Sequence, residues 1–317
     1  MNNIEFGKDL FGYNLVDYGI LRSRFIEPPF SLLDTKTGIW QKRKRKWLNL
    51  GIKSEIGRKS GLTFGNGLGI TNQDNEEITT SIFDPFLCEL IYKWFCPISG
   101  HILDPFCGGS VRGIIAHKLD YKYTGIELRQ EQIDSNISQG SGILKDNTPE
   151  WICGDSDKVL DTIKGEFDFI FSCPPYHDLE VYSDNKDDLS NMSYQQFMEK
   201  YRSIISKSVS KLKNNRFAVF VVGDLRDNNG MYKLFPQYTA KIFTDCKCPL
   251  YNEIILENSV GSASMRVTKQ FKGNRKVAKI HQNILVFYKG NPQEIKNLKF
   301  FINVINNIFN EETDQNE

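Results

Sequence analysis

Ser172-Cys173-Pro174-Pro175-Tyr176 is the stretch of this chain best suited to chemistry. It ends an apolar run, Phe167-Asp168-Phe169-Ile170-Phe171, that predicts a buried strand. The first proline holds Cys173 extended, and neither proline has an N–H, so both carbonyls are left as acceptors fixed in direction. Open α/β sheets bind their ligands at such carboxyl ends of strands. An aromatic ring beside bare carbonyls suits a flat group carrying NH2, such as a nucleobase. Alone, the motif reads equally as a strand stop with a packed tyrosine, so its meaning depends on the other strand ends.

Three of those ends carry a related message. Ile102-Leu103-Asp104-Pro105-Phe106-Cys107-Gly108-Gly109-Ser110 reads as a short strand running into a glycine turn, where missing side chains let backbone approach a ligand. Ser110 is placed to cap the next helix, Val111 to Leu119. Tyr123-Thr124-Gly125-Ile126-Glu127 is a second strand ending in an acid, 23 residues after Asp104. Dinucleotide-binding folds place an acid on ribose hydroxyls at roughly 20 residues. Trp151-Ile152-Cys153-Gly154-Asp155 is a third, and Asp155 could accept from an adenine amino group. Each acid alone is an ordinary solvated strand end; in register after successive strands they outline a nucleoside pocket. G-x-G-x-x-G and G-x-x-x-x-G-K-[ST] are both absent, so neither a dinucleotide nor a triphosphate is required.

These ends need a scaffold, and the remaining pattern supplies one. Ser81 to Phe95 predicts an amphipathic helix stopped by Cys96-Pro97. Helices are expected over 129–139, through Val159, Leu160 and Ile163, over Tyr194–Leu212 and around 237–245. Further strands are expected at Arg216–Val222, Leu250–Leu256 and Asn283–Tyr288. Alternating strands and helices predict an α/β, doubly wound, mostly parallel sheet. The last two strands show no helix between them, which predicts a closing antiparallel hairpin. Glu294 to Phe309 has one apolar helical face, and the residues after Asn310 read as a disordered tail.

Composition narrows the class without naming it. The chain has 317 residues, 40% hydrophobic and 25% charged, as in ordinary soluble globular proteins. No apolar run approaches the roughly 18 residues of a membrane span, and Met1-Asn2-Asn3 opens no signal region, so a cytoplasmic protein without membrane association is expected. Seven scattered cysteines read as reduced core residues, and Cys246-Lys247-Cys248 lacks the spacing of a zinc site, so no metal is expected.

Net charge is only +1, but its distribution is uneven. Trp40-Gln41-Lys42-Arg43-Lys44-Arg45-Lys46-Trp47 sets five cations between two tryptophans, and Arg58 and Lys59 extend the patch. The cations can neutralise phosphates, and the tryptophans can stack or wedge. The stretch 259–281 carries six cations, including Arg266, Lys269, Lys272, Arg275 and Lys276, and no acid; its Gly and Ser content reads as a phosphate-contacting loop.

Asp104-Pro105-Phe106-x-Gly108, Gly125-Ile126-Glu127, Asp155 and Cys173-Pro174-Pro175-Tyr176, in this order, resemble the S-adenosylmethionine-dependent DNA amino-methyltransferases. The resemblance covers roughly residues 80–290, and Pro28-Pro29-Phe30-Ser31 with the tryptophan-flanked basic run looks like a phage or mobile-element subgroup, in which restriction-modification roles occur. It implies a seven-stranded class I methyltransferase (Rossmann-like) sheet, S-adenosyl-L-methionine as cofactor, and double-stranded DNA whose target base is flipped out. Residue by residue it implies a cofactor site of Phe83 with the helix behind it, Asp104, Pro105, Phe106, Gly108, Gly109, Glu127 on the ribose and Asp155 on the adenine. It implies an acceptor site of Ser172, Cys173, Pro174, whose carbonyl takes the target amine, Pro175, and Tyr176 stacked on the base. DNA contacts fall to Lys42, Arg43, Lys44, Arg45, Arg266, Lys269, Lys272, Arg275 and Lys276. His177, Asp178 and Tyr182 follow the motif as candidates for the base pocket.

Two departures stand out. Ser110 replaces a usual glycine, and Cys173 stands where Asp, Asn or Ser is usual. Cys is near-isosteric with Ser, whose form is commoner among cytosine-N4 enzymes, so N4 of cytosine is favoured over N6 of adenine. The implied organisation is an N-terminal basic and aromatic extension over 1–79, a catalytic domain over 80–291 with its insertion at 259–281, and a C-terminal helix and tail over 292–317. Alternative readings are an RNA-base or protein-glutamine amino-methyltransferase, or a non-catalytic DNA-binding module of the same fold.

Overall fold

The computed structural model of the chain describes residues 18–53, 83–144, 148–176, 188–258, 260–261 and 263–300. In order these form α1 (Tyr18–Phe25), β1 (Leu32–Asp34), α2 (Gly38–Leu48), α3 (Pro85–Phe95), β2 (His101–Asp104), α4 (Val111–Lys118), β3 (Lys122–Glu127) and α5 (Gln130–Ile143). There follow β4 (Glu150–Cys153), α6 (Ser156–Thr162), β5 (Phe167–Ser172), α7 (Tyr194–Lys211), β6 (Leu212–Val222), α8 (Phe235–Asp245), β7 (Leu250–Glu257), α9 (Ala263–Asn274) and β8 (His281–Lys289).

The strands make one sheet in the order β1-β7-β8-β6-β5-β2-β3-β4. Every pairing is parallel except those of β8, which runs antiparallel to both β6 and β7. The carboxyl ends of β2 to β6 therefore open on a single edge, with the end of β7 and the start of β8. That shared edge brings Asp104, Glu127, Asp155, Ser172 and Gly223 together from distant parts of the chain.

Both faces of the sheet are covered, as a mostly parallel sheet requires. Along β6, Phe217, Val219 and Val221 join the core layer containing α3 and α4, while Ala218, Phe220 and Val222 join the layer containing α7 and α8. Period-two alternation thus feeds two cores from one strand.

The doubly wound sheet with its antiparallel closing strand is as expected, but two elements differ. An eighth strand, β1, extends the edge by pairing Leu32–Asp34 with Ile255–Glu257. A helix, α9, lies between β7 and β8 where a loop was read. Its Gly and Ser are concentrated at the flanks, while Met, Arg, Lys and Gln are good helix formers. None of its residues is buried, although Ala263, Val267 and Phe271 recur at a four-residue spacing.

At the other end of the sequence, α2 is part of the same body. Trp40 and Trp47 are both buried in the α3–α4 core layer. Where a C-terminal helix was expected, the described residues form a 3-10 turn over Pro292–Asn297, and Phe300 packs near Phe217 at 6.2 Å between ring centres; the rest of that stretch, 301–309, lies outside the described residues. Arg58, Lys59, Ser81, His177, Asp178, Tyr182, the 79/80 boundary and the tail after Asn310 all lie outside the described residues. Among the described residues no helix is long and apolar enough to cross a membrane, and no His, Cys, Asp or Glu group is arranged to hold a metal.

Candidate active site

A cleft of about 1290 Å³ opens at the carboxyl edge of the sheet. Its walls include Phe83, Pro105, Phe106, Gly108, Gly109, Glu127, Asp155, Cys173, Pro174, Pro175 and Tyr176, which is every residue of the two expected half-sites except Asp104 and Ser172. Such a volume exceeds the roughly 300–1,000 Å³ of a typical small-molecule pocket, leaving room for two ligands side by side.

The first half is built on the turn after β2. Gly108 has φ +51°, a left-handed conformation that favours glycine, while a Cβ there would meet nothing within 4 Å. Backbone conformation, rather than crowding by the protein, is what asks for glycine here. Ser110 makes no cap to α4; its hydroxyl meets Gln139 Oε1 at 3.3 Å instead. Phe83, just ahead of α3, lies under the Arg112 guanidinium at 4.6 Å.

Glu127 ends β3 with its carboxylate accepting from Arg129 N (3.1 Å) and Arg129 Nε (3.2 Å). Burial pushes its carboxyl above the ordinary range, and Arg129 only partly offsets this. A relay then runs along α5. Arg129 Nη2 donates to Gln132 Oε1 (3.1 Å), Gln132 Nε2 to Asn136 Oδ1 (3.0 Å), and Asn136 Nδ2 to the Gly108 carbonyl (2.7 Å). Gln132 and Asn136 are fully buried, so these bonds form away from competing water. They tie the acid on β3 to the glycine turn after β2.

Asp155 is more committed than its position at the end of β4 suggested. One oxygen caps α6 through Asp157 N at 3.1 Å, and the other meets Lys200 Nζ at 3.0 Å and Lys158 Nζ at 3.6 Å. An amine donor entering here would share an oxygen with Lys200.

The second half is the Pro-Pro-Tyr segment after β5. Tyr176 is held from three sides. Its hydroxyl accepts from Gln282 Nε2 on β8 at 2.9 Å, its ring sits edge-on 6.3 Å from Phe235, and a Cβ on Gly223 would come within 3.3 Å of the hydroxyl. Burial holds the Tyr176 phenol well above its ordinary range, so at neutral pH it stays a neutral ring and a hydrogen-bonding hydroxyl. Pro174 is buried, and Cys173 and Pro175 are partly exposed.

Asp104 and Ser172, placed by sequence among the ligand contacts, stand behind the cleft wall instead. Both are fully buried, and Ser172 Oγ donates to Asp104 Oδ1 at 2.6 Å. Arg112 and Tyr123 complete that cluster, and sequence reading missed them along with Asn136 and Gln282. Arg112 did leave a signal: a cation in the first turn of a helix, between Val111 and Ile114, opposes the helix dipole and implies a buried anionic partner. The Gly108 carbonyl bound by Asn136 and the Tyr176 hydroxyl bound by Gln282 are 28 and 106 residues away in sequence.

The basic run of α2 is divided by the fold. Arg43 makes a two-pronged pair with the fully buried Glu89 on α3 at 2.9 and 2.6 Å, and Lys44 meets Asp84 at 3.2 Å. The tryptophans cannot stack on a base, because Trp40 Nε1 donates to Asp84 (3.1 Å) and Trp47 Nε1 to Glu89 (2.7 Å) from inside the core. Lys42, Arg45 and Lys46 face solvent on the other side. Arg266, Lys269, Lys272 and Arg275 are exposed on and just beyond α9, and Lys276 lies partly exposed against Gly230. Lys44, Arg266 and Lys279 also line the cleft, which places cations from both basic segments at the site.

No protein-family model and no curated protein sequence matches the chain. Solved structures similar to it include TrmN from Thermus thermophilus, with 13% identity over 65% of this chain and 49% of that one at a TM-score of 0.43. Magnesium protoporphyrin IX methyltransferase (ChlM) from Synechocystis PCC 6803 with bound SAM shows 10% identity over 65% and 79% at 0.41. The N-methyltransferase NodS from Bradyrhizobium japonicum WM9 shows 12% over 65% and 94% at 0.42. The chain thus spans about half the length of the TrmN structure. Likenesses this distant carry no functional weight, which falls instead on the cleft's own residues.

Proposed function

We propose that the chain is an S-adenosylmethionine-dependent amino-methyltransferase acting on an exocyclic base amine of double-stranded DNA, with cytosine N4 favoured over adenine N6. The observation that carries this reading is the meeting of Glu127 and Pro174-Pro175-Tyr176 in one cleft large enough for a nucleoside and a base. The donor set suits the cofactor. A carboxylate pushed up by burial gains from hydroxyl donors such as a ribose diol, and Phe106, Ile126 and Leu128 offer apolar wall for an adenine. When bound, S-adenosylmethionine supplies an electrophilic methyl group on a sulfonium.

The chain's own residues would do the rest. An exocyclic amine is a weak nucleophile because its lone pair is delocalised into the ring. Pro174, which lacks an N–H, contributes a carbonyl that can accept from the amine and favour a pyramidal nitrogen. Tyr176, held by Gln282 and Phe235, gives the base a fixed ring to stack on. Rate then comes from positioning more than from a strong base. Cys173 has no role as a nucleophile in this scheme. A duplex base must leave the stack to reach the cleft, and Lys42, Lys44, Arg45 and the cations of α9 would hold the flanking phosphates.

Methyl transfer from labelled cofactor, offered duplex DNA, RNA and protein in parallel, tests the reading. Label on an exocyclic amine of DNA supports it. Label only in RNA, or only on a protein amide, replaces it with the corresponding acceptor.

A further inference from the structure

Asp104 joins the two halves of the site without touching either ligand space. It is fully buried at the end of β2. One carboxylate oxygen accepts from Phe106 N (3.2 Å) and Ser172 Oγ (2.6 Å). The other accepts from the Tyr123 hydroxyl (2.8 Å) and from Arg112 Nε. Arg112 Nη2 in turn donates to the carbonyls of Phe106 (2.6 Å) and Cys107 (2.9 Å) in the glycine turn. A single ion pair therefore grips the cofactor-side turn and Ser172, two residues before Pro174.

Backbone pairing leaves this task undone. The β2–β5 ladder registers Ile102 with Phe169 and Leu103 with Ile170, and stops two residues short of Ser172. Beyond that point the Ser172–Asp104 hydrogen bond, spanning 68 residues of sequence, sets one strand end against the other. Stability does not by itself explain the cluster, because a buried ion pair is often no better than apolar packing of the same volume.

We propose that Asp104, Arg112 and Ser172 are positioning residues that set the separation between the methyl donor and the acceptor amine. This rests on the methyl-transfer reading above. In-line transfer needs reacting atoms about 3–3.5 Å apart, and a misplacement of about 1 Å can cost about 100-fold. Tyr123 holds the same carboxylate from β3, away from the acceptor segment, and so serves as an internal control.

The test compares Ser172→Ala with Tyr123→Phe, each removing one hydrogen bond to Asp104. Both are expected to lower the melting temperature by similar amounts and to keep the calorimetric Kd for S-adenosylmethionine within about threefold. Ser172→Ala is expected to lower kcat by about 10- to 100-fold, and Tyr123→Phe by at most about threefold. Amide hydrogen exchange at Cys173 and Tyr176 should quicken in Ser172→Ala alone. Equal kcat losses in the two variants, a Kd that rises as steeply as kcat falls, or unchanged exchange at Cys173 and Tyr176 would each overturn the proposal. The exchange comparison needs neither cofactor nor acceptor. If wild-type protein transfers no label, the methyl-transfer reading is lost, while selective exchange still decides whether Ser172 anchors the segment.

Discussion

Removing Arg43 should separate a structural cation from the phosphate-binding ones beside it. Glu89 lies in the middle of α3 with no exposure, and Arg43 supplies two of its hydrogen bonds. Burial pushes this carboxyl up, but the hydrogen bonds and charge of Arg43, with Lys93 and Trp47, pull it below its ordinary range. Breaking a buried pair from one side costs about 3–5 kcal/mol. Arg43→Ala leaves Glu89 with Trp47 Nε1 at 2.7 Å and Lys93 Nζ at 3.4 Å, so we expect about 2–3 kcal/mol, below that range. For a chain of this size that corresponds to a fall of about 4–10 °C in melting temperature.

The pH dependence has a definite sign. A carboxyl lowered in the fold contributes stability above its unfolded value, about 4.3, which is lost as pH falls through the lower folded value. Without Arg43, burial dominates and the carboxyl rises, so Glu89 takes up a proton more readily. The difference between wild type and Arg43→Ala should therefore be greatest near neutral pH and shrink in acid. Thermal melts of both proteins at pH 7 and pH 4 measure it. A loss below about 0.5 kcal/mol at pH 7, or a difference that grows in acid, would refute the assignment of Arg43 to Glu89.

Lys42→Ala and Arg45→Ala, on the solvent face of α2, should change stability by less than about 0.5 kcal/mol, and each should reduce the salt slope of duplex binding by about one; fluorescence anisotropy across a salt series reads this. Asn136→Ala removes a fully buried amide that donates to the Gly108 carbonyl at 2.7 Å and accepts from Gln132, which should cost about 1–3 kcal/mol and weaken cofactor binding by more than about fivefold in calorimetry. Glu127 should make cofactor affinity fall as pH drops through its raised carboxyl range, since only the carboxylate accepts two hydroxyl donors. Glu127→Gln should bind more weakly and lose that dependence. Gly223→Ala puts a Cβ about 3.3 Å from the Tyr176 hydroxyl, so transfer should fall about tenfold while cofactor binding is kept, as separate kcat and Kd measurements would show.

Much of the site was legible because its residues sit at strand ends, where local rules are strong. Pro174-Pro175 stops β5 by covalent geometry, and the acids at Glu127 and Asp155 mark where β3 and β4 emerge at the ligand edge. Other features depended on partners that no local window contains. Trp40 and Trp47 looked available to a nucleic acid until Asp84 and Glu89, about 40 residues on, accepted their N–H groups. Asp104 and Ser172 looked like ligand contacts because each adjoins one, yet they bond each other behind the wall. Helix α9 buries no side chain; its Ala263, Val267 and Phe271 recur every four residues, but the glycines, serines and cations around them read as a loop.

The central claim is tested most directly by incubating the protein with labelled S-adenosylmethionine and duplex DNA, hydrolysing the DNA, and identifying the labelled nucleoside. The account expects label on an exocyclic amine, as N4-methylcytosine in preference to N6-methyladenine. Label on a ring carbon, as in 5-methylcytosine, or label confined to RNA or protein supplied in parallel, would contradict it.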